Sequence, residues 1–402
     1  MKALVHIGLP KTGSTSLQYS LAASRDQLAK SGFLYPTLFS SSKADSNLHQ
    51  KVLRHLFTEE AERRRLFANV GAATPQAGRD WLQERVTHLD AQIAQSTAHT
   101  CILSGESFIA IHDVSALHRF LRDRFEDIQI VAYIRPPYEE YPSYVQHSLG
   151  SGNKISDIAL PQHFFSSIST NLIATNRHNS ISQRPSSFIQ ECLQSFAQTF
   201  GHDRVNIICF SRERLIGNSI VSDFAQRFLQ DNDQSGVQLP DTTQNLSVAA
   251  APAIFISMLS NFSKLQEPQA AGLRDHWMRK LRELTPSDTL PKLQLPKDWK
   301  VLVAHVNSTA YRWIEGQFWP QDSEGLMDRQ YLSEQCPPAV SQAEFEAWLL
   351  SHFTVEGIAQ IFREVFGKVV SENQIKTLLA APRRLQTICN YLDESVLQPL
   401  LK

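Results

Sequence analysis

Ala3-Leu4-Val5-His6-Ile7-Gly8-Leu9-Pro10-Lys11-Thr12-Gly13-Ser14-Thr15-Ser16 is the stretch that decides how this sequence is read. Residues Ala3 to Leu9 form a short apolar run with His6 inside it, as a buried strand does. Gly8 and Pro10 break the run. From Thr15 to Lys30 the chain reads as a helix with Leu17, Leu21 and Leu28 on or near one face. A strand, a glycine turn and a helix in direct succession open an α/β fold.

The pattern recurs downstream. Thr100 to Leu103, Ile128 to Ile134 and Val205 to Phe210 read as further buried strands, the second of them stopped by Pro136-Pro137. Helices are expected over Val114 to Phe125, from Tyr138, over Phe188 to Phe200 and over Ile220 to Leu229. This alternation predicts an α/β fold with a mostly parallel sheet and helices on both faces. Residues 1–250 are expected to form that domain. Insertions are expected at about 36–98, largely helical and rich in Arg, Gln and Glu, and at about 148–185, a long loop. Beyond about residue 240 the strand pattern fades. Leu246 to Phe262 and Gln342 to Leu400 look helical, so 251–402 reads as a helical extension of unknown role.

The chain has 402 residues, 42% hydrophobic and 20% charged, which is an ordinary globular composition. Its 39 basic and 40 acidic residues nearly cancel, whereas a nucleic-acid binder carries a basic excess, so no nucleic-acid partner is expected. The five cysteines (Cys101, Cys192, Cys209, Cys336 and Cys389) are widely spaced and form no C-x-x-C pair, which fits reduced thiols. No run approaches the ~20 apolar residues that span a bilayer, and no signal peptide is legible. A cytoplasmic protein is the expectation.

Gly8 to Thr15 departs at one position from the phosphate-binding pattern G-x-x-x-x-G-K-[ST]. Ser14 stands where that pattern has lysine, and the loop's own lysine is Lys11, three residues earlier. Much of the anion-binding physics survives the change. Gly13 lets backbone N–H groups approach an anion closely, and Thr15 and Ser16 open a helix whose positive end favours it. The hydroxyls of Thr12, Ser14, Thr15 and Ser16 add donors. A kinase or NTPase, however, relies on lysine after the second glycine to reach the outer phosphates. Moving the cation changes which oxygen it faces.

The run Pro10-Lys11-Thr12-Gly13-Ser14-Thr15-Ser16 resembles the 5′-phosphosulfate loop of sulfotransferases that use 3′-phosphoadenosine 5′-phosphosulfate (PAPS). The resemblance implies a P-loop-like fold, and a Lys11 that contacts the oxygen bridging phosphate and sulfate. It implies PAPS as donor, adenosine 3′,5′-bisphosphate (PAP) as product, and no metal. It also implies a second anion site, because PAPS carries a 3′-phosphate that ATP lacks. The family supplies that site from an arginine at a strand end and a serine in the next helix. Here these are Arg135, closing Ile130-Val131-Ala132-Tyr133-Ile134, and Ser143, eight residues on. The planar arginine fork suits bidentate contact with phosphate. Phe196 to Val205, Phe210 to Leu215, Asp223-Phe224 and Asn245-Leu246-Ser247 are similar to later parts of bacterial sulfotransferase domains, so the likeness covers about residues 1–250.

In such a transfer the acceptor loses a proton and the leaving phosphate gains charge. Lys11 is the candidate for stabilising that charge. Three residues compete for the base. Glu106 follows a strand at its carboxyl end, where α/β sheets place ligands, and burial there would raise its pKa. His49, in Asn47-Leu48-His49-Gln50, lies where several members of the resembled family place their base. His112 is a weaker third. Trp313, Phe318 and Trp319 suit either a sugar platform or a core, and Arg63-Arg64-Arg65 suits a solvated helix face.

The expected function is in-line sulfuryl transfer from PAPS to a hydroxyl of a small-molecule or glycan acceptor, with a carbohydrate as the expected class. A P-loop kinase or NTPase, and a non-catalytic nucleotide-binding module, stand as alternatives. The acceptor has no readable code, and fold analogy alone does not name one.

Overall fold

The computed structural model describes residues 1–38, 49–57, 63, 67, 71–106, 108–111, 113–164, 186–211, 213–230, 237–240, 248–261, 271–319, 325–381, 384–392 and 394–395. Five strands make one sheet: β1 (Lys2–His6), β2 (Phe33–Leu34), β3 (Thr100–Ser104), β4 (Asp127–Ile134) and β5 (Val205–Cys209). Their order is β2-β3-β1-β4-β5, and every pair is parallel. Among the described helices of this part are α1 (Ser14–Ala23), α2 (Arg25–Lys30), α3 (Gln50–Leu56), α4 (Pro75–Gln95) and α5 (Val114–Arg122). After β4 come α6 (Pro137–Gly150), α7 (Ser186–Phe200) and, past β5, α8 (Ile220–Phe228).

β1 is central, which explains its apolar run: Ala3, Leu4, Val5 and even His6 are buried. On one face Leu4, Ile102, Val131 and Tyr133 pack with Leu17 and Leu21 of α1 and with Val221 and Phe224 of α8. Leu17 and Leu21 are wholly buried, each worth ~1.5–3 kcal/mol. On the other face α5 and α7 pack together and against β4 and β5 respectively. The fold is therefore the expected α/β, P-loop-like parallel sheet with helices on both faces.

Three local differences have physical causes. The helix expected over 15–30 is two helices, broken at Ser24, whose N–H turns to Ser20 O and Leu21 O. β2 is only two residues long, too short to leave a readable periodicity. Within the expected insertion at 148–185, α6 runs to Gly150 and two single 3-10 turns follow, at Ile155–Asp157 and Pro161–His163. Residues 165–185 lie outside the described residues.

The contacts divide the chain differently from a boundary at 250. One compact unit comprises Met1–Pro136, Ser180–Asn245 and Ser308–Asp328; the other comprises Pro137–Asn179, Leu246–Asn307 and Arg329–Lys402. The first unit thus recruits a late segment. Trp319 Nε1 donates to Ile207 O of β5 at 2.9 Å, and Phe318 stacks on His202 with ring centroids 4.8 Å apart. Both rings are half-buried.

The second unit contains α6, α9 (Ala250–Ser260), α10 (Ala271–Glu283), the first half of α11 (Lys297–Phe318), and then α12 (Arg329–Ser333), α13 (Gln342–Leu350), α14 (Val355–Glu364), α15 (Glu372–Ala380) and α16 (Arg384–Leu392). The helical reading of Gln342 to Leu400 thus resolves into four short helices over its described part. Capping boxes at Ser341/Glu344 and Ser371/Gln374 start two of them. Gln146 of α6 binds both ways, donating to Val248 O and accepting from Leu293 N–H. Phe255 of α9 meets Phe353, Phe362 and Phe366 in an aromatic core. Among the described residues no helix is long and apolar enough to cross a membrane.

Candidate functional site

Parallel strands place all their carboxyl ends along one edge, and the predicted donor loop lies there. The ladder between β1 and β4 continues past the strand. Tyr133 N–H donates to Gly8 O at 2.8 Å, and Leu9 N–H donates to Tyr133 O at 3.0 Å. The chain then turns sharply, with Lys11 at φ 65° and Gly13 at φ 79°, both left-handed. Leu9 O is turned into the loop, where it accepts from Thr12 Oγ1 at 2.6 Å and Ser14 Oγ at 3.1 Å. These two hydroxyls, expected as anion donors, are buried and donate within the loop.

α1 begins at Gly13 with no side-chain cap. The helix dipole is positive at that end. Thr15 and Ser16 in this turn, and Pro10 and Lys11 before it, are half-buried. Backbone amides, rather than the Thr12 and Ser14 hydroxyls, are the donors this turn offers to an anion.

The turn after β3 lies against this loop. Gly105 N–H donates to His6 O at 2.9 Å, and Ile109 N–H to Ile7 O at 2.9 Å. Gly8 (φ +112°) is in contact there: a Cβ on it would sit 2.2 Å from Glu106 O. Burial pushes the Glu106 carboxyl above its ordinary value, and the Lys11 ammonium pulls it back. The structure thus brings together a cation and a carboxyl with a raised pKa beside an uncapped helix start.

Arg135 follows β4 at the same edge and is half-buried. Its guanidinium carbon lies 5.5 Å from the centroid of the Phe210 ring. Its Nη1 is 3.5 Å from Lys11 O, at the long limit of a hydrogen bond. Ser143 lies half-buried on α6, in the second unit, and is not among the groups that the first unit brings together.

The two histidine candidates fare differently. His49 is fully buried; Nε2 is 2.9 Å from Pro36 O, and Nδ1 accepts from Ser104 N–H at 3.1 Å. Both ring nitrogens are engaged, and burial lowers the pKa to about 4. No nitrogen of His49 is left to take a proton from an acceptor in this conformation. His112 lies outside the described residues, as do Arg64 and Arg65.

Sequence reasoning missed the support beneath the loop. Tyr133 Oη donates to Asp223 Oδ2 at 2.8 Å. Asp223, also fully buried, accepts from Ile216 N–H at 2.9 Å and from Arg227 Nε. His6 and Ser104, both buried, are 2.8 Å apart at Nδ1 and Oγ. Tyr133 and Asp223 are 90 residues apart and His6 and Ser104 are 98, so no local spacing marks those two pairs.

No known family profile matches the chain, and no curated protein sequence matches it. Among solved structures, it is similar to the sulfotransferase domain from the Synechococcus PCC 7002 olefin synthase, at 14% identity and a TM-score of 0.24. That likeness covers 52% of this chain and 66% of the other, just under two thirds of that domain.

Proposed function

We propose that this chain is a PAPS-dependent sulfotransferase acting on an acceptor hydroxyl. The observation that carries the reading is the placement of Lys11. It stands in a left-handed turn just before the uncapped start of α1, close enough to Glu106 to shift that carboxyl. A lysine here faces the inner end of a 5′-phosphosulfate, where charge develops as the donor bond breaks.

The chain's residues then have distinct tasks. The amides from Gly13 into α1 receive the 5′-phosphate. Arg135 is the anchor for the 3′-phosphate. Glu106 takes the acceptor's proton as the acceptor oxygen bonds to sulfur. The sulfur–oxygen bond to the phosphate breaks, and Lys11 stabilises the charge left on that oxygen. The raised pKa of Glu106 brings a carboxylate closer to the working pH of a base. No metal enters this scheme. A carbohydrate is the acceptor class proposed, on the sequence resemblance alone.

PAP, the expected product, is the direct probe. It should raise the melting temperature of the purified protein, while ATP at the same concentration raises it less. Absence of a shift at millimolar PAP would remove this reading. Magnesium-dependent turnover of ATP would favour a kinase or NTPase. PAP binding with no sulfuryl transfer to any acceptor or to water would leave a binding module.

A further inference from the structure

Ser104, the last residue of β3, is held by two histidines. Its backbone N–H donates to His49 Nδ1 at 3.1 Å, and its hydroxyl is 2.8 Å from His6 Nδ1. All three residues are fully buried.

The His49 contact sits where the sheet runs out. β2 pairs with β3 only through Phe33 and Leu34. Pro36, two residues on, has no N–H with which to continue a ladder. A buried N–H left without a partner costs about 1–3 kcal/mol. The imidazole fills the gap, taking Ser104 N–H on Nδ1 and bonding Pro36 O through Nε2 at 2.9 Å. An amide can only donate and a carbonyl can only accept, so the proton of His49 is on Nε2.

The hydroxyl of Ser104 is met by His6. Its Nε2 makes no hydrogen bond and is buried. The ring lies steeply inclined to those of Tyr133 and Phe224, at 66° and 74°, with centroids 6.0 and 6.4 Å away. A serine hydroxyl can donate or accept, so either tautomer of His6 keeps this 2.8 Å bond. Burial keeps both rings uncharged, His6 with a pKa of about 3 and His49 of about 4.

Glu106 lies two residues beyond Ser104. Gly105 N–H is tied to His6 O, and the Glu106 backbone oxygen packs against Gly8. We propose that His6 and His49 are positioning residues, gripping Ser104 by its hydroxyl and its amide and so fixing where Glu106 stands against Lys11. The consequence for catalysis rests on the donor site proposed above; the positioning itself does not.

The test needs neither donor nor acceptor. The Glu106 carboxyl is followed by carbon NMR during a pH titration and assigned with Glu106→Gln. Ser104→Ala removes the hydroxyl link to His6. His49→Phe keeps the ring but removes both of its hydrogen bonds, and His49→Asn restores an acceptor near the Nδ1 position. In folded protein, the Glu106 midpoint should fall toward the ordinary range in Ser104→Ala and further in His49→Phe. It should recover in part in His49→Asn. An unchanged midpoint in folded Ser104→Ala overturns the proposal, as does a His49→Asn midpoint as low as that of Ser104→Ala. If His49→Phe does not fold, those two variants still decide. PAP binding to the wild-type protein is measured alongside; its failure removes the donor reading and leaves the titration result standing.

Discussion

The turn after β1 and the turn after β3 meet in space but are built by different means. The first is made by its own backbone: left-handed Lys11 and Gly13, and a Leu9 carbonyl bound by Thr12 and Ser14 within the same loop. The second is held from outside, by His6 one strand away and by His49 at the mouth of α3. A local turn carries its instructions in consecutive residues. An assembled turn depends on chain segments that fold elsewhere, and it titrates and fails with them.

Gly8 is where the two turns touch, and replacing it should break both. Gly8→Ala places a methyl 2.2 Å from Glu106 O, at a φ that side chains rarely adopt. Strain and overpacking together should cost about 3 kcal/mol or more. Denaturant melts read the loss, and PAP binding should disappear with it. Wild-type stability in the Gly8→Ala variant would mean that the two turns are not in contact.

Lys11→Ala separates chemistry from architecture within the first turn. Release of PAP from PAPS should fall about 10²–10³-fold, the usual cost of removing one donor aimed at developing charge. The melting temperature should stay near wild type, because Lys11 is half-buried and its left-handed φ is no better for alanine. A fully active Lys11→Ala would end the role given to this lysine.

The second turn is separated from the first by its pH dependence. His6 and His49 titrate near 3 and 4 in the folded chain, against about 6.5 when unfolded. Between these values the unfolded state binds more protons, so their contribution to stability is present above pH 6.5 and is lost as pH falls toward 4. Each can contribute a slope of up to about 1.4 kcal/mol per pH unit. Glu106 has the opposite sign: its folded pKa is raised, so its contribution weakens as pH rises above the ordinary carboxyl value. Thermal melts from pH 7 to 4 should fall steeply for the wild type and less steeply for His49→Asn. Equal slopes would mean that His49 is not held uncharged.

Much of the fold was legible in sequence. β1, β3, β4 and β5 lie close to their apolar runs, because a strand buried on both faces must be apolar throughout. The turn at Gly8 to Thr15 was legible as a phosphate loop, because glycine, proline and hydroxyl residues act on their own neighbours. β2 was not legible, since two residues carry no period. The boundary at 250 followed the fading of the strand pattern, while the units are defined by contacts, and 308–328 joins the first unit through Trp319 and Phe318.

At the site the division is sharper. Sequence alone determined that a lysine and a helix start stand after the first strand, and that an arginine closes a later one, because these features lie beside the strands that position them. Only the tertiary structure shows what surrounds Glu106 and His49, the two candidate bases. Both were credible bases as letters in a row. Burial between Pro36 and Ser104 engages both nitrogens of His49, while burial beside Lys11 leaves Glu106 a raised pKa. Burial and hydrogen-bond partners come from residues distant in the chain, and a linear sequence does not display them.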